Sequence, residues 1–209
     1  MRHVALSTVR RLSLYLQVLE GCEREGKATV SSRALAERGG ATPAQVRKDL
    51  SFFGSFGKRG IGYPTSELAA RLRDILGLGH RHRVVLVGAG RIGAALAAYP
   101  GFGERGFDLA AVYDQDPAIV GRPLDGQIVR HQDNLEADLA TAPAQIAVIA
   151  TPAGAAQGIA ERLAKAGVRA ILNFAPVALS VPADVTVTNV NMALELEALS
   201  FALSHRKRA

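Results

Sequence analysis

Apolar positions follow a helical period over the first third of the chain and gather into short β-branched runs over the rest, with the change near residue 80. Val9, Leu12, Tyr15, Leu16 and Leu19 recur at helical spacing after Ser7-Thr8 and stop before Gly26, which predicts a first helix. A second starts near Ser31-Ser32, buries Leu35 with Ala34, and ends at Gly39-Gly40, where glycine suits a left-handed cap. Thr42 caps a third, with Pro43 at its first position, where the missing N–H costs nothing. Three short helices joined by tight turns predict a helix-turn-helix.

On the third helix Val46, Leu50 and Phe53 form the inward stripe. Ala44, Gln45, Arg47, Lys48, Ser51 and Phe52 lie on the outward face, a mixture suited to phosphates and base edges. Asp49 falls beside the inward stripe, where it is expected to pair with an arginine. Gly54 to Pro64 is glycine-rich and carries Lys58 and Arg59 at its tip. It reads as the hairpin wing of a winged helix, with those cations along a DNA groove; an ordinary solvated turn is the other reading. Ser66 to Leu76 predicts a further amphipathic helix, and Gly77 to Arg83 a linker.

Val84-Val85-Leu86-Val87 predicts a strand, and Gly88-Ala89-Gly90-Arg91-Ile92-Gly93 follows it directly and opens a helix. This is a G-x-G-x-x-G in a strand–turn–helix context, the pattern of a dinucleotide-binding turn. Gly88 permits the turn, Gly90 lets backbone approach a pyrophosphate, and Gly93 lets the helix pack on its strand. A second strand, Leu109 to Tyr113, ends at Asp114, 26 residues after Gly88. A carboxylate there accepts hydrogen bonds from the adenosine ribose and repels a 2′-phosphate, which favours NAD; a solvated turn aspartate is the alternative. Ile146–Ala150, Ala170–Leu172 and Val185–Val187 alternate with helical stretches, so the sheet is expected to be parallel and doubly wound. Thr151-Pro152 and Asn173-Phe174-Ala175-Pro176 fall at strand C-termini, the edge where such sheets bind ligands, and are candidates for the nicotinamide end. Phe174 fits the core equally well, and Asn173 a loop cap.

Composition narrows the class. With 48% hydrophobic and 21% charged residues in 209, and no uninterrupted apolar run of 18, the chain reads as two globular modules and not as a membrane protein. The opening Met1 to Leu6 lacks the apolar run of a secretory signal, so a cytoplasmic location is expected. Cys22, the single cysteine, lies in a helical pattern and reads as a small core residue. The net charge of +6 is uneven: residues 1 to 83 hold 15 Lys/Arg against 7 Asp/Glu, and the remainder 10 against 12. The excess suits a polyanion, although a solvated basic surface carries the same charge.

The chief rival is an NAD-dependent oxidoreductase with an appended basic domain, yet the chain offers no catalytic constellation. Of five histidines, His3 and His205 are near-terminal, His80 and His82 lie in the linker stretch and only His131 lies beyond it in the nucleotide module, and there is no Tyr-x-x-x-Lys pair and no metal-ligand spacing. A further reading keeps the DNA-binding head and lets the second module hold another nucleotide, such as coenzyme A, or serve only for dimerisation.

Gln45-Val46-Arg47-Lys48-Asp49-Leu50-Ser51, Gly54 and Gly57-Lys58-Arg59-Gly60-Ile61-Gly62-Tyr63 resemble the DNA-binding signature of Rex, the bacterial redox-sensing transcriptional repressor family. Gly88 to Gly93, Tyr99-Pro100-Gly101-Phe102, Gly121-Arg122-Pro123, Thr151-Pro152 and Ile171 to Val177 resemble that family in the same order. The resemblance implies a winged helix-turn-helix domain (1–78), a Rossmann domain holding NADH or NAD as effector (79–190), and a C-terminal dimerisation helix (191–209) exchanged between protomers. It implies a homodimer that binds a pseudo-palindromic operator and leaves it when NADH binds, and it adds Gly60, Tyr63 and Tyr99 to the expected site residues. The terminal helix supports this independently: Ala193, Leu194, Leu196, Ala198, Leu199, Phe201, Ala202 and Leu203 cover too much of it to face water, with packing on its own domain as the alternative. One departure is visible. Relatives often carry an acidic residue after the Asn-Val of the last strand and a basic one on the first helix, where Asn191 and Gln17 stand here.

Overall fold

The computed structural model describes residues 4–57 and 60–205. The chain divides into two compact units, Met1–His80 and Arg81–Ala209.

In the first unit, α1 (Leu6–Arg24), α2 (Ser32–Gly39), α3 (Pro43–Ser51) and α4 (Thr65–Ile75) enclose one apolar core. Leu12, Tyr15, Leu16 and Leu19 are fully buried on the inner stripe of α1, each stabilising the fold by about 1.5–3 kcal/mol. The helix ends follow local chemistry. Ser31 accepts from the Ala34 N–H, Thr42 from the Gln45 N–H, and Gly40 closes α2 at φ +62°.

In the Gly54–Pro64 segment β2 (Tyr63–Pro64) pairs antiparallel with β1 (Thr29–Val30), and the expected tip of the wing, Lys58 and Arg59, lies outside the described residues. Gly60 and Gly62 take positive φ, which breaks an extended run, while Gly57 lies so close that an added Cβ would stand 2.7 Å from the Gly62 carbonyl oxygen.

The second unit is a six-stranded parallel sheet in the order β10-β9-β8-β3-β4-β7. Its strands are β3 (His82–Val87), β4 (Phe107–Asp114), β7 (Arg130–His131), β8 (Ile146–Ile149), β9 (Ala170–Asn173) and β10 (Thr186–Asn189), with a small antiparallel hairpin of β5 (Pro123–Leu124) and β6 (Gln127–Ile128) ahead of β7. Val84 and Leu86 of β3 pack into one apolar cluster and Val85 and Val87 into the other, so the strand is buried on both faces and reads as an unbroken apolar run. Helices α5 (Arg91–Ala97), α6 (Gly101–Glu104), α7 (Leu135–Thr141) and α8 (Ala153–Lys165) connect the strands. Chain order reverses between β3 and β8, which makes their C-terminal ends the place for a ligand crevice. The last helix, α9 (Met192–Ser204), has no buried residue.

Candidate functional site

The glycine turn between β3 and α5 is built by steric exclusion. Gly88 has φ +101°, and a Cβ there would stand 2.5 Å from the Ala150 carbonyl oxygen, so only glycine fits. A Cβ on Gly93 would overlap the Gly88 carbonyl oxygen, so α5 starts in direct contact with the turn it closes. Gly90 differs: nothing lies within 4 Å of its Cβ position, leaving the backbone open to an incoming group.

Asp114, at the end of β4, joins this turn. Its Oδ2 accepts from the Ala89 N–H at 2.6 Å and its Oδ1 from the Asp116 N–H at 2.9 Å. A crevice of about 120 Å³ follows, lined by Gly88, Gly90, Asp114, Gln115, Gln132, Ala150, Thr151, Pro152, Ala155 and Ile159. Its size suits part of a dinucleotide, since whole-ligand pockets start near ~300 Å³. The Thr151 hydroxyl is buried here without a hydrogen-bond partner, a donor in want of an acceptor. An open glycine, an orphaned hydroxyl and a carboxylate beside the glycine turn fit the phosphate and ribose of a nucleotide. Arg91 and Ile92 are exposed on the first turn of α5.

The other expected nucleotide residues lie elsewhere. Asn173 is fully buried and fully used: its Nδ2 donates to the Ala175 and Val177 carbonyls and to Asn189 Oδ1, and its Oδ1 accepts from the Ala175 N–H. This is the loop-cap role. Phe174 packs half-buried on one face of the sheet and Ala175 in the core of the other. Tyr99 is exposed beyond the end of α5, edge-on to Phe102 at 5.3 Å between ring centroids. None of the four lines the crevice. Gln115 and Gln132, which do, bridge each other at 3.2 Å. Gln132 follows β7, a strand of two residues and too short for periodicity to signal.

In the first unit, Arg47, Lys48 and Ser51 are exposed on α3, with Phe52 directly after it also 46% exposed. A groove of about 710 Å³ runs beside them, lined by Ser31, Ser32, Arg47, Gly57, Gly60, Ile61, Gly62 and Tyr63. Arg47 donates to Ser32 Oγ at 3.1 Å across it, and burial pushes the Tyr63 phenol above its ordinary value. Lys58 and Arg59 lie outside the described residues. Ser31, Ser32 and Ile61 carry no signal in the sequence beyond the helix start and the glycine-rich loop.

Gln45 does not project freely with its neighbours. Its Nε2 donates to Asp49 Oδ1 at 2.7 Å, and the Asp49 carboxylate, 1% exposed, also receives Arg11 Nε at 2.6 Å, Arg11 Nη2 at 2.7 Å and the Tyr15 hydroxyl at 3.0 Å. The expected arginine partner is thus Arg11. Burial pushes the Asp49 carboxyl up, but these donors outweigh it and hold it below its ordinary value. Asn191 caps α9, accepting from the Ala193 and Leu194 N–H groups, while Gln17 is exposed on α1.

Residues 3–51 match the family model described as "Putative DNA-binding protein N-terminus", and residues 80–177 the model described as "CoA binding domain". The redox-sensing transcriptional repressor Rex of Desulfitobacterium hafniense is 45% identical over 96% of this chain and 96% of its own length. The Rex repressor of Thermus thermophilus is 46% identical over 96% of this chain and 94% of its own. The chain belongs to the Rex family. Among solved structures, the Rex-family repressor RSP bound to β-NAD+ and operator DNA superposes with a TM-score of 0.91 at 36% identity, covering 97% of this chain and 94% of that one. RSP with β-NADH superposes at 0.87 and 34% identity, covering 97% and 95%. Rex relatives are named as transcriptional repressors and not as enzymes, which removes the oxidoreductase reading. Among the described residues no group of His, Cys, Asp and Glu could hold a metal ion, and no helix is long and apolar enough to cross a membrane.

Proposed function

We propose that this chain represses transcription from an operator that it holds through the exposed face of α3 and the 54–64 segment, and that it releases the operator when NADH fills the crevice at Gly88, Gly90, Asp114 and Thr151. The crevice carries the reading: an orphaned hydroxyl, an open glycine and the Asp114 carboxylate line one crevice where the sheet's chain order reverses.

The nucleotide supplies binding free energy and no reaction. NADH shifts the DNA-binding equilibrium only by as much as it prefers the released state, so NAD must prefer that state less. On the DNA side, Arg47, Lys48, Lys58 and Arg59 supply charge toward phosphates, and Gln45, Ser51, Phe52, Gly60 and Tyr63 the surface toward bases and sugars. The second nucleotide reading, coenzyme A, is disfavoured by Asp114, which suits an unphosphorylated ribose.

We infer a homodimer joined through α9, whose Leu194, Leu196, Leu199, Phe201 and Leu203 are all exposed on one protomer. Two heads related by a two-fold axis match a pseudo-palindromic operator. An NADH-responsive repressor of chromosomal DNA works in the cytoplasm. Operator affinity measured across NADH/NAD ratios at constant total nucleotide and salt tests the proposal.

A further inference from the structure

Asp49 is a carboxylate clamped from two helices. Arg11 and Tyr15 reach it from α1 and Gln45 from one turn earlier on α3, so it receives four hydrogen bonds at 2.6–3.0 Å while 1% exposed. Burial and Asp49 together push the Tyr15 phenol up to about 12, so Tyr15 remains a donor at any working pH. An ionised carboxylate only accepts. The Gln45 amide must therefore present its nitrogen inward, because turning it through 180° would set Oε1 against Oδ1 and lose a charge-assisted bond. Such a bond is worth more than about tenfold in population. Gln45 Oε1 is left pointing away from the clamp, with the second Nε2 hydrogen beside it.

We propose that Asp49 is a positioning residue that fixes the Gln45 amide and so makes α3 select a base edge bearing an exocyclic amine, adenine, at the position Gln45 reads. Oε1 accepts from adenine N6 while the second N–H donates to adenine N7. Cytosine offers an amine with no acceptor beside it, and guanine offers two acceptors, which a fixed Oε1 opposes. A glutamine free to flip meets guanine and adenine on more equal terms. The inference rests on α3 being the face that enters the groove.

The test uses the full chain and a duplex selected from a randomised library by the wild-type protein. Each adenine of a half-site is replaced in turn by purine, which lacks the amine, and by guanine. At one position both changes are expected to weaken wild-type binding by about tenfold. Gln45→Ala removes that sensitivity. Asp49→Asn, whose amide can meet either end of Gln45, reduces it below about threefold while binding to a scrambled duplex is unchanged. Tyr15→Phe touches the other carboxylate oxygen and keeps the full preference. Sensitivity lost with Gln45→Ala but retained with Asp49→Asn overturns the positioning role. Sensitivity retained with Gln45→Ala at every position instead overturns the reading of α3 behind it. Should Asp49→Asn fail to bind even the scrambled duplex, the wild-type series decides: guanine accepted as well as adenine at every position overturns the inference.

Discussion

The Asp114 carboxylate accepts a hydrogen bond from the backbone N–H of Ala89 at 2.6 Å, tying the end of β4 to the glycine turn after β3. The residue proposed to recognise a ribose is thus also a brace for the turn proposed to face the pyrophosphate. Asp114→Ala is predicted to weaken NADH binding by about 10- to 100-fold, the worth of one or two charge-assisted hydrogen bonds, with ligand-free operator binding unchanged. Asp114→Asn keeps one acceptor and should fall between. NADH fluorescence titration of the three proteins checks the order.

The glycines separate folding from binding. Gly93→Ala drives a methyl into the Gly88 carbonyl and is predicted to destabilise the second unit by more than about 4 kcal/mol. Gly90→Ala meets nothing within 4 Å, so its melting transition should stay within about 1 kcal/mol of wild type. NADH affinity should nevertheless drop at least about tenfold, because the methyl would stand where the pyrophosphate is proposed to approach. Thermal unfolding and nucleotide titration on the two variants distinguish them.

These contrasts explain what is legible in the sequence. Helix ends at Ser31, Gly40, Thr42 and Pro43 are local chemistry, and the β3 run with its glycines is a local pattern, so both read directly. Gln45 illustrates what does not: helical period places it outward, yet its side chain bends back to an acceptor clamped by α1, 34 and 38 residues away in sequence from Asp49. Asn173 sits at a strand end like a ligand-binding residue, but its amide is consumed by its own loop and by Asn189 of the neighbouring strand. Strands β5 to β7 have two residues each, below the length at which alternation is visible.

The same clamp gives a pH signature. Asp49 titrates lower in the folded state than its unfolded value of about 3.9, so its stabilisation is complete above that value and is lost as pH falls through the folded one. The first unit is predicted to lose stability below about pH 4. Asp49→Asn should flatten that loss and cost about 1–3 kcal/mol at neutral pH, toward the low end because the Arg11 side chain keeps 24% of its surface exposed. Denaturant melts from pH 7 downward measure both effects.

Leu196 and Phe201 on α9 are each 66% exposed on a single protomer, so charge there should leave the protomer folded. The wild type is predicted to sediment as a dimer, and Leu196→Glu with Phe201→Glu to yield monomers. Operator affinity should then fall at least about tenfold, since one half-site is held instead of two.

Nucleotide and operator are proposed to oppose each other through this one chain. Operator affinity, measured at fixed salt and fixed total nucleotide while NAD is replaced by NADH, is predicted to fall as the NADH share rises. Saturating operator should weaken NADH binding by the same factor that NADH weakens operator binding. Operator affinity that stays constant across the whole range contradicts this opposition.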